Sequence, residues 1–208
     1  MAIGSQEGDD LDYRLSNPTE SEGVEFKQWI DPKRPEGIEK IAKAVIALRN
    51  QNGGWLIFGF DDDLRVDPNR PQKIRRTYHP DVIQEIVTKY ASVPFGIEVH
   101  FRKRKHDKLE FVAVFVRPGV ESPVACKRDL FLEEEHKKKR KKLLRRNAIY
   151  VRSVQANNRV STTEVTLHDL DGLVKRCFDN READIAGFIR RHFADVLKRL
   201  RDILAEAT

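Results

Sequence analysis

Six carboxylates bracket one segment of this chain: Glu20, Glu22 and Glu25 before it, Asp61, Asp62 and Asp63 after it. Oxygen ligands in twos and threes suit hard divalent cations such as Mg²⁺ or Mn²⁺, and a cation so held can activate water for hydrolysis near neutral pH. For that chemistry the two clusters must meet in space. The residues between them say how they could. Ile38, Ile41, Ala42, Val45 and Leu48 fall at helical spacing on one face. Asn52-Gly53-Gly54 ends this helix, because glycine takes the left-handed conformation a helix C-terminus requires. Trp55-Leu56-Ile57-Phe58 then reads as a continuous apolar strand inside a sheet. If Val24-Glu25-Phe26-Lys27 pairs beside it, alternation buries Val24 and Phe26 and turns Glu25 and Lys27 the other way. Both acidic clusters could then share one side of the sheet. The alternative needs no chemistry: Glu25 and Lys27 form an ion pair on the sheet, and Asp61 to Asp63 make a polar turn after a strand.

The other elements form the setting for this unit. Residues 1–16 are expected as a flexible lead, with Leu11, Tyr13 and Leu15 alternating as a short edge strand or packing as an arm. Residues 64–79 carry Pro68 and Pro71 among Arg65, Arg70, Lys73, Arg75 and Arg76, either a solvated loop or a phosphate-contacting surface. Pro80 opens a helix with Val82, Ile83, Ile86, Val87 and Tyr90 on its apolar stripe. Residues 97–101 and 109–116 read as a hairpin across the charged turn Lys103–Lys108. Ala148 to Val151 is a further strand, and Ser161 with Glu164 reads as a capping box opening a helix with Leu167, Leu170, Leu173 and Val174. Asp179-Asn180 is expected to break that pattern. In the amphipathic helix after it, Ile189, Phe193, Val196, Leu200 and Ile203 repeat at helical spacing, as core packing or as a dimer seam.

Charge narrows the partner. The 208 residues hold 39 Lys and Arg against 33 Asp and Glu, a net charge of +6 that favours a polyanion. The densest basic run comprises Lys137, Lys138, Lys139, Arg140, Lys141 and Lys142, followed by Arg145 and Arg146. Against a phosphate backbone it is a binding surface; otherwise it is a solvated segment. No phosphate-loop or dinucleotide fingerprint is present, so no nucleotide cofactor is expected. Six histidines lack zinc-enzyme spacing, and Cys126 and Cys177 fit neither a disulfide framework nor a zinc site, which suits a reducing cytoplasm. No signal peptide or membrane-spanning run is recognisable.

In order along the chain, Glu20-(x4)-Glu25-Phe26-Lys27, then Ala47-Leu48-Arg49-Asn50-Gln51-Asn52-Gly53-Gly54, then Gly59-Phe60-Asp61-Asp62 resemble the signature of the Schlafen-type, AlbA-like nucleic-acid-binding domain. The resemblance continues to about residue 170, through Val93-Pro94-Phe95, the Val112–Val116 strand before Pro123, and Asn147 to Arg152 before Ser161-Thr162-Thr163-Glu164. It implies an α+β fold, a mixed sheet with packed helices forming a single lobe over residues 17–178; the C-terminal amphipathic helix read from the apolar spacing follows over 179–208. It also implies a metal-dependent endoribonuclease acting on transfer RNA or other structured RNA. Glu20, Glu25 and Asp62 would be the catalytic carboxylates and ligands of Mg²⁺ or Mn²⁺, with Lys27 a fixed positive charge beside them. Phe60 stands where the signature has valine, and Asp63 leaves the register of the last ligand open by one residue. A metal-free DNA- or RNA-binding regulator, or an interaction subunit of a larger complex such as a defence assembly, is the alternative. The vertebrate Schlafen core looks like two such lobes around one groove. A comparable groove would then need a second copy or another protein; a homo-oligomer through the C-terminal helix is expected, with RNA favoured over DNA.

Overall fold

Strand β2 (Gly54–Phe58) occupies the interior of a four-stranded sheet, and the burial of both its faces explains its unbroken apolar run. On one side it pairs in parallel with β1 (Val24–Lys27), Glu25 lying opposite Leu56. On the other it pairs antiparallel with β4 (Glu110–Val116), which continues antiparallel to β3 (Ile97–Lys103). The order is β1-β2-β4-β3, a mixed sheet in an α+β protein, as the motifs imply. The structure, a computed structural model, describes residues 3–133, 140–155 and 159–206.

Alternation sorts the strands onto two apolar layers. Leu56 and Phe58 of β2, with Val112, Val114 and Val116 of β4, pack against helix α2 (Pro35–Asn50) and the later helix α4 (Pro80–Tyr90). Trp55 and Ile57, with Val24, Phe26 and Ala113, pack on the opposite side against helix α1 (Ile3–Ser16). The short helix α3 (Ile74–Thr77) precedes α4. Leu56, Ile57 and Phe58 are wholly inaccessible to solvent, and each such side chain contributes about 1.5–3 kcal/mol on burial.

Of the two readings at Leu11, Tyr13 and Leu15, the edge strand is replaced by helix α1, which packs against the sheet as an arm. Leu11 and Leu15, four residues apart, are buried together, while Tyr13 between them is 67% exposed, which is helical and not strand periodicity. The turn between α2 and β2 requires glycine. Gly54 adopts φ +144°, and a Cβ there would lie 2.2 Å from the Gly23 carbonyl oxygen. That carbonyl accepts a 2.8 Å hydrogen bond from the Trp55 amide, which starts the β1–β2 ladder.

Two hairpins complete the body: β5 (Leu130–Glu133) with β6 (Arg140–Leu144), and β7 (Tyr150–Val154) with β8 (Val160–Glu164). Ser161 and Glu164 therefore belong to a strand, not to a capping box. The box lies five residues later, where the Asp169 amide donates to Thr166 Oγ1 at 3.3 Å and the Thr166 amide to Asp169 Oδ2 at 3.1 Å. It opens α5, one continuous helix from Leu167 to Glu206. Asp179-Asn180 does not interrupt it. Asn180 Nδ2 instead donates to the Val120 carbonyl at 2.7 Å and to Asn52 Oδ1 at 3.0 Å.

Candidate nucleic-acid interface

Glu25 faces the α2 side of β1, where alternation directs it, and its side chain is only 1% exposed. An isolated carboxylate buried this deeply is costly, so it must be paired. Lys27 Nζ lies 2.7 Å from Oε1, Thr162 Oγ1 donates to Oε2 at 2.9 Å, and Arg152 Nη1 lies 3.3 Å from Oε2. Arg152, equally buried, also donates through Nη2 to the carbonyls of Ser21 (3.1 Å) and Val24 (3.0 Å). Its Nε is buried without a hydrogen-bond partner. Arg152 on β7 and Thr162 on β8 thereby clamp the second hairpin onto the end of β1.

Around this cluster opens a cavity of about 750 Å³. Its walls come from β1, from Lys40 and Lys43 on α2, from residues 61–64, and from the β7–β8 hairpin. Glu20, Glu25, Lys27 and Asp62 all line it, so the structure brings the four proposed catalytic residues to one place. Their environments differ. Glu20 Oε1 accepts a long 3.4 Å hydrogen bond from the Phe26 amide. Asp62 is exposed and makes no hydrogen bond or ion pair among the described residues. Asp61 caps its own turn, accepting from the amides of Asp63 (3.0 Å) and Arg65 (2.8 Å). The Arg65 amide is the main reason that the Asp61 carboxyl is held below the usual carboxylate range. Asp63 pairs with the Arg65 guanidinium. Both halves of the non-catalytic alternative, an ion pair at Glu25–Lys27 and a polar turn at residues 61–63, are therefore present in the fold.

The carboxylates do not fit a three-carboxylate metal centre as they stand. Both oxygens of Glu25 already have donors, and among the described residues no three acidic, histidine or cysteine side chains are grouped to hold an ion.

A second cavity of about 350 Å³ adjoins the first. Lys43 and Thr162 line both, and Lys142, Arg145, Tyr150 and Glu164 extend the second along β6 to β8. Part of the basic run thus reaches the same depression. Lys142 Nζ pairs with Asp129 at 2.9 Å, Arg145 with Glu164, and Arg140 with Glu133 at 3.1 Å, while Lys141 is exposed. The Arg146 backbone amide donates to Asp129 Oδ1 at 2.7 Å. Lys137, Lys138 and Lys139 lie outside the described residues. Arg75 and Arg76, on α3, line neither cavity. Arg75 pairs with Glu110 at 2.5 Å and stacks over Phe101, on the β3–β4 side of the sheet.

Sequence reasoning missed Lys40, Lys43, Arg152 and Thr162 as site residues. Lys40 and Lys43 could have been found, since they are three apart on the polar side of α2. Arg152 shares its strand face with buried Tyr150, two residues away, and a charge at a core-facing strand position signals a partner.

Among curated proteins none matches the chain, and no helix among the described residues is long and apolar enough to cross a membrane. A sequence model of the family described as Schlafen, AlbA_2 matches residues 20–161. That span begins at Glu20 and takes in every residue lining the larger cavity except Thr162. Covering well over half of the sequence, it places this chain in the Schlafen, AlbA_2 family of nucleic-acid-binding domains.

Proposed function

We propose that the protein binds RNA along the depression formed by the two adjoining cavities. The observation that carries this reading is their shared wall, where Lys43 joins Lys27 and Lys40 on one side to Lys142 and Arg145 on the other. Cations from separate elements spaced along one depression suit successive phosphates. RNA is favoured over DNA because the opposite wall carries Glu20 and Asp62. Carboxylates repel phosphates but accept hydrogen bonds from 2′-hydroxyls, the group that distinguishes RNA. A cytoplasmic setting goes with this reading and agrees with the free thiols Cys126 and Cys177.

A second reading, metal-dependent endoribonuclease, is favoured by the convergence of Glu20, Glu25 and Asp62 on one cavity. It requires Lys27, Arg152 and Thr162 to release Glu25. Mg²⁺ or Mn²⁺ would then supply activated water, with Lys27 left as the fixed charge beside it. One experiment addresses both readings: incubate the protein with total RNA in Mn²⁺, Mg²⁺ or EDTA, and follow binding and cleavage together. The binding reading expects retention of intact RNA in all three, weakening as salt rises. Cleavage confined to the metal-containing samples and lost in Glu25→Ala establishes the nuclease instead. Preference for duplex DNA overturns both.

A further inference from the structure

Among the described residues, helix α5 meets the body along its first part. Leu173 and Cys177 are buried, Arg176 Nε donates to the Asn50 carbonyl at 3.2 Å, and Asn180 reaches Asn52 and Val120. From Arg181 to Arg190 every residue but half-buried Gly187 is exposed. The 26 residues from Arg181 to Glu206 extend about 39 Å at the helical rise. Helices in proteins draw most of their stability from packing an apolar face, yet this one displays large apolar groups: Phe178 is 64% exposed, Ile185 60%, Ile189 49% and Phe193 64%. These four recur at intervals of seven and four, so they form one stripe, turned roughly a third of a turn from the docking face at Leu173 and Cys177.

The charge sequence along the helix says what covers the stripe. Its first exposed turns carry Asp179, Glu182 and Asp184 against Arg181. Farther along, Arg190, Arg191, Lys198, Arg199 and Arg201 outnumber Asp195, Asp202 and Glu206. An acidic half followed by a basic half is complementary to its own reverse. We infer that α5 pairs antiparallel with α5 of a second copy, across the stripe of Phe178, Ile185, Ile189 and Phe193, which Val196, Leu200 and Ile203 continue in the sequence. With the twofold axis between Arg191 and His192, Glu182 stands level with Arg201, Asp184 with Arg199, and Arg181 with Asp202, opposite charges at each position. A parallel pair would set every one of these residues against its own kind, which is destabilising. The isologous contact closes on itself and leaves no stripe uncovered. The inference does not depend on the RNA reading, because the stripe begins where the body ends.

Sedimentation of the full chain tests it, with circular dichroism as the second readout. A dimer at micromolar concentration is expected, with helical signal falling on dilution as the pair separates. Ile185→Glu with Ile189→Glu should weaken dimerisation by more than about a hundredfold, since four buried isoleucines are lost per dimer. These positions lie outside the folded body, so its cooperative unfolding should be retained. The charge pattern tests the orientation. Glu182→Lys with Asp184→Lys should weaken the dimer by about tenfold, and adding Arg199→Glu with Arg201→Glu to the same chain should restore it. A full-length monomer across the micromolar range overturns the inference, whatever other protein covers the stripe. Failure of the second pair of substitutions to restore dimerisation overturns the antiparallel arrangement.

Discussion

Two carboxylates on different strands of the sheet are each held by two cations, and the contrast between them is instructive. Glu25 on β1 is flanked by Lys27 and Arg152, and Glu110 on β4 by Arg70 and Arg75. Glu25 and Arg152 are each 1% exposed, whereas Arg70 and Arg75 are 43% and 68% exposed. The same charges therefore do different work. At Glu110 water can substitute for either arginine, and such pairs contribute about 0–1 kcal/mol. Glu25 itself is 1% exposed, and losing a partner there leaves a buried charge. The buried cluster fastens a hairpin and forms the wall of a cavity; the exposed one decorates a surface. Proximity of opposite charges is thus a poor guide to function until burial is known.

The largest expected effect breaks the contrast at its buried end. Arg152→Ala should destabilise the protein by about 3–5 kcal/mol, read as a lower urea midpoint, while Arg75→Ala stays within about 1 kcal/mol. Replacing both buried partners by apolar residues, Glu25→Leu with Arg152→Met, should recover most of the loss. Equal effects of the two arginine substitutions would mean that the Glu25 cluster is hydrated in solution.

A smaller effect sharpens the comparison for binding. Lys40→Glu with Lys43→Glu should weaken RNA binding and lower its salt slope by about one unit per phosphate contact removed. Arg75→Glu with Arg76→Glu, on the β3–β4 side, should leave both quantities nearly unchanged. The reverse pattern would move the interface to the β3–β4 side.

The smallest effect concerns a third carboxylate, in the β3–β4 turn. The Arg104 guanidinium holds Asp107 down to about 2, and Arg104 Nη1 also donates to the Leu15 carbonyl of α1 at 3.4 Å. A depressed carboxylate stabilises the fold above its unfolded value of about 3.9 and loses that contribution as protonation proceeds towards its folded value. Stability should therefore drop modestly between about pH 4 and pH 2, and Asp107→Asn should flatten part of that drop. An identical acid profile for Asp107→Asn would place the loss elsewhere.

Local periodicity made much of the fold legible. The stripe from Ile41 to Leu48, the apolar run at Trp55 to Phe58 and the β3–β4 hairpin carry their partners within a few dozen residues. The failures share a cause. Leu11 and Leu15 satisfy a period of two as well as of four, and only exposed Tyr13 decides between them. Ser161 and Glu164 have the spacing of a capping box but sit in β8, paired with residues of β7. Asp179-Asn180 looks like a stop, yet Asn180 is held by groups more than fifty residues away. At the site, Glu25 and Lys27 were legible because both stand on one strand. Arg152 was not, because the hairpin that carries it crosses more than a hundred residues of sequence to reach Glu25.

Gly54 has a consequence for heredity. Its φ is +144°, and a Cβ there would meet the Gly23 oxygen at 2.2 Å. The smallest replacement, alanine, already pushes β1 away from β2 at the point where their ladder begins. Every non-synonymous change in this codon therefore strikes the strand that carries Glu25. A lineage can drift freely in the charges that decorate the surface, but at Gly54 it can only stand still.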